Sequence, residues 1–297
     1  MKKWMIWLSV FLGLAISVSA QKELSPFMGV MTNGNVREVS TKVETALKEA
    51  NFEIVGQYDI AGHQDLHVIC FNRADLKDAC ATYVDRGALA SVLKIGIRKD
   101  ADKVEVSIAN PEYMFYAYFG EDYQKQAAVL QTIDQDAKNV ITTSFGTMED
   151  FGGKLELEDL MKYHYKIMMP YFTDPEDLEE YDSFDEGLSY IRKKIAATGK
   201  EIQLIYEVVN KNTKTAVFGI GLLNPETGEG SFLPIIGERH IAAMPYEIIL
   251  QGKEVTMLHG KYRFALYWPE LTMGEFMKIM STPGDVEDAM ESITELD

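Results

Sequence analysis

The chemistry this chain could carry rests on few residues, and the densest set is Glu238-Arg239-His240 together with His259. These flank a strand pair in the second half. If a sheet brought His240 and His259 together near Glu238, one imidazole would act as general base and the carboxylate would orient it, which is hydrolase chemistry. No Gly-x-Ser-x-Gly nucleophile accompanies them. The alternative is a Glu238–Arg239 ion pair on a loop, with His259 capping a strand end. A second set is aromatic: Tyr113, Phe115, Tyr262 and Phe264, with Arg239 beside them, would either line a partly apolar ligand site or simply fill a core. His63 and His67 stand four apart, a spacing used by zinc ligands on helices. They fall in an expected hairpin turn without a third ligand, so no metal is expected.

The remaining candidates are weaker. Asp174 to Glu186 holds eight acids in thirteen residues, but it lacks the glycine and the alternation of a calcium loop and reads as a solvated connection. Gly219-Ile-Gly221 lacks a third glycine and lies inside a strand pattern, so no nucleotide or other cofactor is expected. Cys70 and Cys80 are the only cysteines. In an oxidising compartment they would bridge; otherwise they are two buried thiols on a strand and the next helix.

The elements that would position these residues recur twice. Asn110-Pro-Glu-Tyr-Met-Phe-Tyr-Ala-Tyr-Phe119 reappears 149 residues later as Gly260-Lys-Tyr-Arg-Phe-Ala-Leu-Tyr-Trp268. Tyr113, Phe115, Tyr118 and Phe119 thus match Tyr262, Phe264, Tyr267 and Trp268. Asn110 and Pro111 open the first stretch as a helix, apolar on nearly every side, so each copy is expected to bury its rings in its own interior.

Upstream of the first stretch the pattern predicts a strand at Phe27–Met31, then a helix capped by Thr41 and Glu44 with Val43, Ala46, Leu47 and Ala50 on its buried face. Strands follow over 52–60 and 66–71, a short helix over 76–84, and strands over 92–97 and 104–108. The second copy runs from a strand alternating over Tyr163, Tyr165, Ile167 and Met169, through a helix capped by Ser183 and Glu186, to strands over 202–209, 216–223, 246–250 and 254–258. Each copy is an α+β unit of one strand, a helix, four antiparallel strands and a closing helix. The expected layout is a leader over 1–20, a first repeat over 21–145, a connection over 146–182 carrying the second copy's first strand, and a second repeat over 183–297.

Residues 1–20 read as a secretory signal: Lys2 and Lys3, an apolar run from Trp4 to Ser17, and cleavage after Ala20. The run is shorter than a membrane span of about 20 apolar residues, and no later segment is apolar enough to cross. The mature chain is therefore expected to be periplasmic or secreted. A net charge of −17 repels phosphate backbones, so nucleic acid is excluded as a partner.

Three short motifs add a resemblance. Val217-Phe-Gly-Ile-Gly-Leu-Leu-Asn-Pro225, Ala242-Ala-Met-Pro-Tyr246 and Ile108-Ala-Asn-Pro-Glu-Tyr113 are similar to an apolar strand ending in Phe-Gly-Asn-Pro, to a Leu-Pro-Leu lead-in to the next strand, and to an Asn-Asp-Pro helix start. All three belong to the bacterial family called domain of unknown function 302. The first copy departs from that pattern at Ser91-Val92-Leu93 and Phe71-Asn72-Arg73, and the second at Gly260-Lys261. The resemblance implies a fold like that of the TATA-binding protein, present as two divergent tandem copies, and it brings no catalytic residues. The function expected is a non-catalytic module binding a small, partly apolar ligand or an envelope protein, with the hydrolase on His240, His259 and Glu238 as the alternative.

Overall fold

The computed structural model describes residues 22–162 and 169–296. The leader, with the expected cleavage after Ala20, and residues 163–168, which carry most of the expected Tyr163-to-Met169 strand, lie outside the described residues.

In the first half the elements are β1 (Glu23–Leu24), β2 (Phe27–Thr32), α1 (Val36–Glu49), β3 (Glu53–Asp59), β4 (Leu66–Asn72), α2 (Ala74–Cys80), β5 (Leu93–Asp100), β6 (Lys103–Ala109), α3 (Pro111–Phe119) and α4 (Ala127–Phe145). The connection supplies β7 (Glu149–Phe151), β8 (Leu155–Glu156) and α5 (Leu157–Met161). The second half holds β9 (Glu176–Glu180), α6 (Phe184–Ala197), β10 (Ile202–Asn210), β11 (Thr215–Leu222), α7 (Glu229–Ile236), β12 (Tyr246–Gln251), β13 (Glu254–Met257), α8 (Gly260–Tyr267), α9 (Met273–Phe276) and α10 (Thr282–Thr294).

The fold is α+β with antiparallel sheets. One sheet runs β3-β4-β5-β6-β2-β7 and the other β10-β11-β12-β13-β9, so the second repeats the strand order of the first apart from the added β7. Register places equivalent residues alike: Ile95 faces Ile108 in the first sheet, as Ile248 faces Met257 in the second.

Local chemistry explains most elements. α1 starts at Asn35, whose side chain accepts from the Glu38 amide while Glu38 reaches back to the Asn35 amide. Val36, Val39, Val43 and Leu47 then form its buried stripe. The expected cap at Thr41 is corrected: that residue lies inside the helix and its hydroxyl donates to the Arg37 carbonyl at 3.0 Å. Ser183 does cap α6, accepting from the Glu186 amide.

The acidic stretch holds a strand. Glu176–Glu180 adds to the edge of the second sheet by pairing with β13, burying Leu178 while its acids face outward. This strand stands in the second sheet where β2 stands in the first, so β9 is the counterpart of Phe27–Met31 among the described residues. α7 (Glu229–Ile236) carries Pro234 inside it, which breaks the helical pattern in the sequence.

The rings do not fill separate interiors. α3 and α8 meet, with the Tyr113 hydroxyl donating to the Leu266 carbonyl at 2.7 Å. The hydroxyls of Tyr118 and Tyr267, equivalent positions of the two stretches, lie 3.4 Å apart. Buried apolar residues of both halves form one contiguous core. Each large ring taken from water contributes about 1.5–3 kcal/mol to holding the halves together.

The sheet edges also abut. A β-carbon on Gly56 of β3 would stand 2.0 Å from the Ile205 carbonyl oxygen of β10, so only glycine lets these edge strands cross.

Candidate functional site

At the seam between the sheets, polar side chains face one another across the repeat. Lys94 lies opposite Cys70 on the neighbouring strand, and Glu247 lies opposite Gly219, the matching place in the second sheet. The Lys94 ammonium and Glu247 carboxylate are in direct contact, and the Tyr206 hydroxyl donates to Glu247 Oε1 at 3.1 Å. Nearby, the Tyr58 hydroxyl bonds both carboxylate oxygens of Glu229 at 2.8 and 2.9 Å. Arg263 Nη2 donates to the Ala243 and Pro245 carbonyls, and its guanidinium lies 3.6 Å over the Tyr246 ring.

All of these charges are buried. Burial, helped by the Arg263 guanidinium, pulls Lys94 down to about 7. It also pushes Glu229 up to about 8 against the Tyr58 hydrogen bond, and the Cys70 thiol to about 12. A buried pair of this kind adds little net stability, because desolvation offsets most of the attraction, whereas removing one partner leaves a buried unpaired charge. Its chemistry is the matching of one half to the other.

The residues singled out from the sequence fall in several places. Tyr113, Phe115, Tyr262 and Phe264 are all buried in the shared interior. Arg239 lies outside that interior: Nε donates to Glu105 Oε1 at 2.6 Å, and the guanidinium lies 4.0 Å over the Phe151 ring. Arg98 holds the other Glu105 oxygen at 3.1 Å. His240 is packed edge-on to Phe27 and Phe151 and stacked on Trp268, with centroids 5.0, 5.7 and 5.3 Å away. Burial lowers it to about 4, leaving it neutral, and its Nε2 is 3.6 Å from Glu270.

His259 has other neighbours. Its Nδ1 accepts from the Lys261 amide at 3.1 Å, capping α8, and its Nε2 lies 3.3 Å from Glu176. Glu238 lines a groove beside α7. His240 and His259 therefore lie beside different carboxylates, Glu270 and Glu176, and no hydrogen bond or ion pair joins either of them to Glu238 among the described residues.

Cys70 and Cys80 are both unbridged and buried. Cys70 faces the charged seam beside Lys94, whereas Cys80 sits near Tyr83, and burial raises both thiols. His67 is bound to Asp59 at 2.7 Å. No cluster of three metal-ligating side chains occurs among the described residues, and no described helix is long and apolar enough to cross a membrane.

The concavities are half-open grooves. One of about 430 Å³ lies where α7 meets the β3–β4 turn, lined by Ile60, His63, Leu66, Lys99, Leu233 and Glu238. Another of about 390 Å³ lies where residues 77–91 meet the β10–β11 hairpin, lined by Lys77, Tyr83, Ser91, Val208, Asn212 and Gln251. The two occupy matching places, each formed by one half's connecting segment and the other half's first hairpin. None of the four predicted ring residues lines either groove.

The buried charges of the seam had a signal in the sequence: Lys94, Glu247 and Arg263 each interrupt an apolar run. A lone charge in such a run needs a partner from elsewhere, but the run does not say which.

No family model matches the chain, and no curated protein matches it. Among solved structures, it is similar to the crystal structure of an uncharacterized conserved protein DUF302 from Bacillus stearothermophilus. That likeness has 9% identity and a TM-score of 0.35, and spans 40% of this chain and 98% of the other.

Proposed function

We propose that this chain is an exported, non-catalytic interaction module that binds an envelope protein through its outer surface. Its two sheets are read as two divergent copies of the domain of unknown function 302, on the motifs Val217–Pro225, Ala242–Tyr246 and Ile108–Tyr113. Export rests on the leader over 1–20.

The observation that carries this reading is the filled interior. The rings that would have walled a ligand chamber pack on each other, and the Tyr113 hydroxyl that would have greeted a ligand is spent on the Leu266 carbonyl. At the seam Lys94 is paired with Glu247 and Tyr58 with Glu229, sealed from water. A small apolar ligand favours an enclosing cavity that covers most of its surface, whereas the grooves here are half open. What remains for recognition is the outside.

Native mass spectrometry of the protein recovered from its own export compartment tests this. The expected spectrum shows the chain with a second protein and no retained small molecule. A stoichiometric small ligand or metal on the chain, or a bare monomer under conditions that preserve weak complexes, would overturn the reading.

A further inference from the structure

Three of the eight large apolar side chains exposed among the described residues fall on one short run. Met273, Met277 and Met280 are 74%, 57% and 60% exposed. They recur at i, i+4 and i+7 along α9 and the 3-10 turn that continues it over Met277–Ile279, and so share a face. Ile279 is buried in the core and Phe276 is partly buried against it. α7, whose Ile235 is 40% exposed, packs alongside this run. A single exposed apolar residue is ordinary, but three unbranched thioethers on one face make an adaptable apolar surface.

The charge around this face selects the occupant. From Pro269 to Asp297 there are eight acids and one base, Lys278. Glu270, beside the run, has a half-exposed side chain. The Thr272 hydroxyl and amide hold the Glu275 carboxylate below its ordinary range, so that charge persists into mild acid. With a net charge of −17, the chain repels a second copy of itself and an anionic lipid surface.

We infer that the face of Met273, Met277 and Met280 docks a cationic amphipathic helix of a partner protein. The helix lays its apolar stripe on the methionines and its Lys and Arg flanks toward Glu270 and Glu275. This rests on the reading of the chain as an interaction module and names the surface and the partner chemistry.

The test uses the full mature chain and labelled model peptides of about five helical turns, followed by fluorescence anisotropy. One peptide is an amphipathic Leu/Lys helix, one a Leu/Glu helix, and one a Ser/Lys peptide of the same charge as the first. The Leu/Lys helix is expected to bind, and to bind M273S/M277S/M280S at least about tenfold more weakly, a loss of about 1.4 kcal/mol. The other two peptides are expected not to bind. All three methionines are exposed, so the triple variant keeps its melting temperature.

Equal affinity of wild type and variant, binding of the Leu/Glu helix, or failure of the Leu/Lys helix to bind would overturn the inference. So would capture by zwitterionic phosphatidylcholine vesicles that the triple variant loses, which would reassign the face to membrane. If the triple variant still carries its protein partner in native mass spectra, the methionine face falls while the interaction reading stands. If neither form carries a partner, the reading itself falls.

Discussion

His240 shows how a residue chosen for its chemistry can be decided by its surroundings. Phe27, Phe151 and Trp268 enclose it and Glu270 approaches at 3.6 Å, but burial, opposed by the Gly237 backbone and aided by the Arg239 charge, lowers it to about 4. In the unfolded chain its value returns to about 6.5. Between those values the unfolded state holds the extra proton, so stability falls as pH drops from about 6.5 to about 4 and levels off below. The size of that fall is about 3 kcal/mol. Replacing His240 with Phe, which suits its aromatic neighbours, is expected to flatten this slope in urea unfolding across the same window. A slope unchanged in H240F would assign the pH dependence elsewhere. The sequence singled out His240 but could not show the rings around it, because Phe27, Phe151 and Trp268 come from three distant parts of the chain.

At the level of elements, legibility followed how much of the signal is local. α6 was readable from Ser183, Glu186 and its apolar spacing, since cap and stripe sit within a few turns. β9 was not, because Glu-Asp-Leu-Glu-Glu buries only Leu178 and owes its extension to the β13 ladder. In α1, Asn35 with Glu38 and Thr41 with Glu44 satisfy the same capping pattern six residues apart, and only the chain's path makes Asn35 the cap. The crossing of β3 and β10 was invisible in the same way, yet it constrains single residues sharply. Adding a methyl at Gly56 drives it into the Ile205 carbonyl, which the backbone must relieve by moving the two edges apart. G56A is expected to cost roughly 2 kcal/mol or more in denaturant unfolding. G274A, in α9 where the added methyl meets nothing within 4 Å, is expected to be neutral or to stabilise by about 0.5–1 kcal/mol. Equal effects of the two would mean that the edges are not in contact.

For the whole molecule, the repeat in the sequence foretold two sheets of the same order but not the manner of their joining. Matching residues meet across the seam: Tyr118 with Tyr267, and Lys94 with Glu247. In the first pair the residue type is unchanged between halves. In the second it is complementary, which makes each half fit the other better than a copy of itself, since two lysines or two glutamates buried there would repel. On the proposed reading, recognition falls to the outside of a molecule closed in this way, where Met273, Met277 and Met280 offer an exposed apolar face. Photo-crosslinking in the producing cell tests this most directly, with a photoreactive residue placed either at Met277 or at exposed Lys48 on α1. The account predicts one dominant protein adduct from position 277, through a basic segment of the partner, and none from position 48. Equal labelling from both positions, or no protein adduct from 277, would contradict it.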